Sequence, residues 1–174
     1  MLMPSRAASR STVRGFTLIE LMVVVTLIAI LTMVAGPSMR EQFANFRVRS
    51  AADSIVNGLN VARAEAARRN SPAAFTLNSG GAGWSVAQVS PSTAIQSRGN
   101  GESSSLTVTS STASLVVTFL PTGIVDTTVT PRLEQINVVS PVLNTSRRQI
   151  NILGGGLIRM CDPGITAAGD PRAC

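Results

Sequence analysis

The sequence predicts an α+β protein, with one long N-terminal helix packed on an antiparallel β-sheet domain. Three observations carry that expectation. An uncharged apolar run, Leu21–Ala35, follows Arg14-Gly15-Phe16-Thr17-Leu18-Ile19-Glu20. Behind it, Val48, Ala52, Ile55, Leu59, Ala62 and Ala66 recur at spacings alternating between four and three, the apolar stripe of an amphipathic helix. Beyond Pro72 the composition turns to Ser, Thr, Gly, Val and Asn, in short apolar stretches parted by turn signals.

The first element is a leader, residues 1–15, which holds Arg6, Arg10 and Arg14 and no acid. A membrane-length helix, residues 16–36, comes next. Phe16–Ala35 is 20 residues, about 30 Å of helix, which matches the hydrocarbon thickness of a bilayer. A cleaved secretory signal and an ordinary signal anchor are the common explanations of such a segment. Neither accounts for Glu20. An acid at the centre of a membrane helix costs about 2.5–3.5 kcal/mol on insertion scales, and less near the interface. Cleavage between Gly15 and Phe16 would create an ammonium four residues before Glu20. In a packed filament Glu20 could then pair with the Phe16 ammonium of a neighbouring subunit, a register-specific contact in low dielectric.

The amphipathic half of the helix is expected over residues 37–70, ending near Arg69-Asn70-Ser71-Pro72, where Asn and Pro are stop signals. From Phe16 to Asn70 it would run about 80 Å. Pro37 should kink it or melt a turn, because proline removes a hydrogen bond and crowds the preceding turn. Residues 71–174 form the β-rich domain. Its expected strands are Ala73–Leu77, Trp84–Val89, Leu106–Thr109, Leu115–Leu120, Leu133–Ser140, Gln149–Leu153 and Leu157–Cys161. Ser97–Ser105 reads as a loop. Gly80-Gly81-Ala82-Gly83 and Pro121-Thr122-Gly123 read as turns, and Gly154-Gly155-Gly156 as a hairpin turn. Trp84 reads as a core residue.

Composition bounds the function. The net charge is +6, every basic residue is Arg, and without the leader's three cations the remainder carries +3. That is too little to argue for nucleic acid on charge alone. No His is present, and no Cys cluster fits a metal site. The nine acids are scattered, and no Ser or Thr sits in a nucleophile elbow. The expectation is a protein without catalytic residues, cofactor or metal. The basic flank places the leader in the cytoplasm and the domain outside, in an oxidising compartment. A Cys161–Cys174 disulfide is favoured there, worth about 3 kcal/mol for a loop of similar size in the chain-entropy model. Two free thiols are the alternative.

Gly15-Phe16-Thr17-Leu18-Ile19-Glu20 before an apolar run resembles the signal of type IV pilins and type II secretion pseudopilins. The resemblance implies that a prepilin peptidase cuts after Gly15 and methylates the Phe16 amine. It also implies that Glu20 is the assembly glutamate and that Gly36-Pro37 marks the helix kink. Two further segments narrow the match. Leu115-Val116-Val117-Thr118-Phe119-Leu120-Pro121-Thr122-Gly123 resembles the strand and turn of the GspH/FimT family. Arg148–Ile152 with Gly156–Cys161 resembles its last two strands, and a tail closed by Cys161 and Cys174 is similar to that of FimT- and FimU-like minor pilins. The implied fold is the type IV pilin fold. The implied function is that of a minor pilin that helps prime pilus assembly at or near the tip. Its implied partners are other minor pilins and the major pilin, or pseudopilins. It would span the inner membrane once with its domain periplasmic, and be extracellular once in a pilus. A type II secretion pseudopilin is the alternative. So is a DNA-binding subunit for uptake, through Arg147, Arg148, Arg159 and Arg172. Gly156-Leu157-Ile158-Arg159 departs from the Gly-Arg-x-Arg pattern of DNA-binding members, which puts that role in doubt.

Overall fold

The computed structural model describes residues 16–167 and 169–174, apart from the side chains of residues 34, 35, 37 and 102. The leader, with the expected scissile residue Gly15, lies outside the described residues, and so does the Pro37 side chain on which the expected kink rests. One helix, α1 (Leu18–Arg69), is followed by eight strands: β1 (Ala73–Leu77), β2 (Trp84–Gln88), β3 (Thr93–Arg98), β4 (Thr107–Ser110), β5 (Val116–Phe119), β6 (Gln135–Val139), β7 (Arg148–Ile152) and β8 (Ile158–Cys161). A 3-10 turn, Gly101–Ser105, precedes β4.

Two compact units divide the chain, Met1–Pro37 and Ser38–Cys174. In the first, the described side chains from Phe16 to Met33 are all exposed and, Glu20 apart, uncharged. The polar side chains in its interior bond to their own helix. Thr26 Oγ1 donates to the Val23 carbonyl at 2.8 Å, and Thr32 Oγ1 to the Ile28 and Ala29 carbonyls at 3.0 and 2.9 Å. A helix apolar all round with its hydroxyls satisfied internally suits lipid or a packed helical neighbour. Counted as the stretches Leu18–Met33 and Ser38–Arg69, no single one is long and apolar enough to cross a membrane; joined, they pass by length and composition. The helix assignment runs unbroken through Gly36 and Pro37. The melted turn expected there as one outcome is absent.

In the second unit every stripe residue expected to face the core is buried: Val48, Ala52, Ile55, Leu59, Ala62 and Ala66 are all at most 1% exposed. α1 ends where the stop signals lie. Asn70 takes the left-handed conformation at φ 47°. The Ser71 N–H then reaches the Ala66 carbonyl at 3.2 Å, and the Asn70 N–H the Ala67 carbonyl at 3.3 Å. That is a Schellman cap with Asn where Gly is commoner. Gly58 lets the helix approach the sheet closely. A Cβ there would lie 2.6 Å from Trp84 Cδ2 and 2.9 Å from Phe75 Cε2. The two rings stack, with centroids 6.1 Å apart. Trp84 is buried, as expected, and its indole N–H donates to Ser54 Oγ at 3.1 Å.

The strands form two four-stranded antiparallel sheets, ordered β3-β2-β1-β5 and β4-β6-β7-β8. The antiparallel strands expected to pack on the helix are thus present, divided into two sheets, a division the sequence reading did not make. The structure also adds β3, which the sequence reading missed, and replaces the Ser97–Ser105 loop by the end of β3 and the 3-10 turn. Alternation is clean where a strand has one buried face, as at Phe75, Trp84, Val86, Ile136, Val138, Ile150 and Ile152. β3 is exposed at every position except half-buried Ile95. Both sheets and α1 share one apolar core. Burying each larger side chain contributes about 1.5–3 kcal/mol.

The two glycine turns meet. Pro121-Thr122-Gly123 closes with the Gly123 N–H on the Leu120 carbonyl at 2.8 Å, and Gly154-Gly155-Gly156 forms the expected β7–β8 hairpin turn, with the Gly156 N–H on the Leu153 carbonyl at 2.8 Å. Gly156 has φ +81°, and a Cβ on it would lie 2.0 Å from the Gly123 carbonyl oxygen. The backbone of one turn therefore rests on the backbone of the other, and only glycine fits.

Candidate functional site: the helix start and the C-terminal tail

Phe16 stands at the head of the described chain, 83% exposed. Thr17 precedes the first helical residue. Its Oγ1 accepts the Glu20 N–H at 3.3 Å, and its carbonyl accepts the Leu21 N–H at 3.2 Å. Thr17 is thus the N-cap, and Thr17-Leu18-Ile19-Glu20 has the spacing of a capping box, with the acid in the first turn where the helix dipole favours it. Sequence reasoning missed this, although Ser/Thr followed three residues later by Glu is a readable signal. Only the Thr17 half of the box is formed, since no hydrogen bond from the Thr17 N–H to the Glu20 carboxylate is present among the described residues. The Glu20 side chain is exposed, and no cation pairs with it among the described residues.

At the other end, Cys161 and Cys174 are joined by a disulfide, with Cα atoms 5.1 Å apart. It closes a tail that is also held by polar contacts. The Asp162 N–H donates to the Arg172 carbonyl at 2.7 Å. The Asp162 carboxylate pairs with Arg148 and accepts the Gly164 N–H at 2.9 Å. Arg159 donates to the Ala173 carbonyl at 2.8 Å. Arg172 pairs with Asp170 at 2.8 Å. The Arg172 guanidinium, seconded by the Arg172 backbone N–H, holds the Asp170 carboxyl down at about 2.

Of the four arginines singled out for nucleic acid, the structure gathers Arg148, Arg159 and Arg172 around this tail. Each has work there. Arg148 and Arg172 have carboxylate partners, and Arg159 fastens the last residues. Arg147 is exposed and pairs with no acid among the described residues. A phosphate-binding surface draws its affinity from unpaired cations, and here two of the four are neutralised at home.

Two family models match the sequence. The model described as type II transport protein GspH covers residues 51–156, and the prokaryotic N-terminal methylation motif covers residues 10–36. Those spans hold the helix stripe from Ala52 onward, both sheets up to the second glycine turn, and the Gly15–Glu20 signal. No protein of curated function matches the chain. Among solved structures, the type IV minor pilin FimU of Pseudomonas aeruginosa superposes with a TM-score of 0.55 at 16% identity, over 69% of this chain and 95% of that one. A second crystal form of FimU gives 0.51 at 17% identity, over 68% and 99%. At such identity the likeness establishes the type IV pilin fold.

Proposed function

This chain belongs to the GspH family and carries the prokaryotic N-terminal methylation motif, and from that premise we propose that it is a minor pilin. A prepilin peptidase cuts it after Gly15 and methylates the Phe16 amine. The apolar helix anchors it in the inner membrane as a single pass, with the β domain periplasmic. It then joins other minor pilins and the major pilin to prime pilus assembly, at or near the tip, and becomes extracellular there. Its task is structural, and needs no cofactor. One observation carries this reading. An apolar helix opens with an exposed acid that pairs with no cation among the described residues, four residues beyond the position at which cleavage would create an amine. An anchor alone requires no such charge.

The family description, type II transport, favours a second reading in which the same assembly chemistry serves a secretion pseudopilus. The DNA-uptake reading draws less support, because Arg148 and Arg172 are paired with Asp162 and Asp170.

The test is mass spectrometry of the membrane-bound protein from its native cells. We expect an N-terminus at Phe16, methylated, and its loss when Gly15 is replaced by a bulky residue. An intact Met1 in assembled filaments overturns the proposal. Identification of the co-purifying filament as pilus or pseudopilus decides between the two machines.

A further inference from the structure

Two adjoining hollows in the Ser38–Cys174 unit run along one side of α1. The first is lined by Arg40, Phe43, Arg47, Leu106, Pro141 and Val142. The second is lined by Phe46, Arg47, Ser54, Arg98, Asn100 and Ser103. Arg47 belongs to both and makes them one groove. Phe43 and Phe46 stand on its helical rim, 61% and 72% exposed. Neither ring belongs to the shared apolar core. The opposite wall is fixed: the Ser146 N–H donates to Asn45 Oδ1 at 2.7 Å, and Asn144 Nδ2 to Glu41 Oε1 at 3.4 Å. Ser54, 7% exposed, holds Arg98 in place by accepting from its guanidinium at 2.7 Å.

Among the described side chains the charge of the groove is one-sided; Glu102, between the lining residues Gly101 and Ser103, lies outside them. Arg40, Arg47 and Arg98 line it, and no acid does among the described residues. None of the three pairs with a carboxylate there. Among its described carboxylates beyond Pro37, a second copy of this chain has none without a partner to supply the missing charge. Its described carboxylates beyond Pro37 are engaged at home: Asp53 by Arg49, Glu65 by Arg68 and Arg69, Glu134 by Arg132, Asp162 by Arg148, Asp170 by Arg172, Asp126 by Thr128 and Glu41 by Asn144. A lipid surface is flat and would leave the concave floor at Leu106 and Ser54 unfilled. Exposed aromatics beside arginines over an apolar floor are the composition of a protein-binding hot spot.

We propose that this groove docks an acidic, amphipathic segment of a different pilin-like subunit. Its apolar side chains cover Phe43 and Phe46, and its carboxylates meet Arg40, Arg47 and Arg98. The inference rests on the assembly reading and adds to it the chemistry of the partner.

The experiment uses the full chain in its native membrane, with a photo-crosslinking amino acid in place of Phe46. We expect an adduct with a sister subunit, mapped by mass spectrometry to a segment carrying Asp or Glu. The double variant Arg47→Glu, Arg98→Glu should lower adduct yield about tenfold, the scale of losing desolvated charge pairs. Changing the mapped acids to Arg should restore it. An adduct with lipid, with a second copy, or with a segment lacking acids overturns the proposal, and so does a yield indifferent to charge reversal. Recovery in filaments is followed in parallel. A chain that enters filaments without forming the adduct sinks the groove alone, whereas a chain that never enters them sinks the assembly reading beneath it.

Discussion

Two roles can be asked of Glu20, completing the cap and pairing with a neighbour's amine, and they make different demands on its side chain. As the third residue of a capped helix it needs only an acceptor oxygen, which Gln also offers. As the counter-charge to a neighbour's amine it needs the negative charge itself. Glu20→Gln therefore separates the roles where Glu20→Ala removes both. We expect both variants to insert normally into the membrane and both to fail to enter filaments, read by co-sedimentation with the filament fraction. If Gln assembles as well as Glu, the residue is a cap and the pairing idea is wrong. Asp170 poses a different single-residue question. Its carboxyl is held at about 2 by Arg172, below the ordinary 3.8. An acid with a lowered folded pKa contributes stability above its unfolded pKa and loses it as pH falls through the folded value. Protection of the Asp162–Cys174 tail in hydrogen exchange should thus hold from neutral pH down to about 4, then decline toward about 2. Asp170→Asn should remove that dependence.

At the scale of elements, the contact between the two glycine turns makes the sharpest demand. Gly156→Ala would put a methyl 2.0 Å from the Gly123 carbonyl oxygen, at a φ of +81° that side chains resist. Overpacking and backbone strain each cost about 1–3 kcal/mol. Chemical denaturation should show a loss of that order or larger, while Gly155→Ala, with nothing within 4 Å, should be close to neutral. The contact also marks what a sequence can disclose. Pro121-Thr122-Gly123 and Gly154-Gly155-Gly156 were each legible as turns, because turn chemistry is local. That one lies on the other was not, because nothing local encodes a meeting across some thirty positions of chain. The same division runs through the rest. The stripe from Val48 to Ala66 was legible because its period is set by the helix. The strands with one buried face were legible because alternation survives in them. β3 was not, since an edge strand with only Ile95 half-buried has no alternation to show. The assignment of strands to two sheets was hidden for the same reason as the turn contact. At the candidate site the N-terminal methylation motif and the cysteine pair could be read directly. The arginines could be named as cations but not as the partners of Asp162 and Asp170, which only the fold brings beside them.

For the whole molecule, the division at Pro37 has a consequence for stability. Every residue of the shared apolar core lies at Val48 or beyond. The apolar side chains described from Phe16 to Met33 are all exposed and contribute nothing to that core. The helix from Ser38 onward is held by burial against both sheets, and such packing, more than intrinsic propensity, is what makes a helix stable in a protein. A chain beginning at Ser38 should therefore fold by itself, and its thermal unfolding should be a single cooperative transition. Full-length protein in detergent should show the same transition at nearly the same temperature, because the removed segment shares no core with what remains. The apolar helix should instead decide solubility, with the full chain requiring detergent and the shortened one none. If the shortened chain unfolds in two steps, the sheets do not share one core. If it melts well below the full chain, the segment before Ser38 supports the domain as well as tethering it, and the separation of anchor from domain on which the assembly reading relies has to be abandoned.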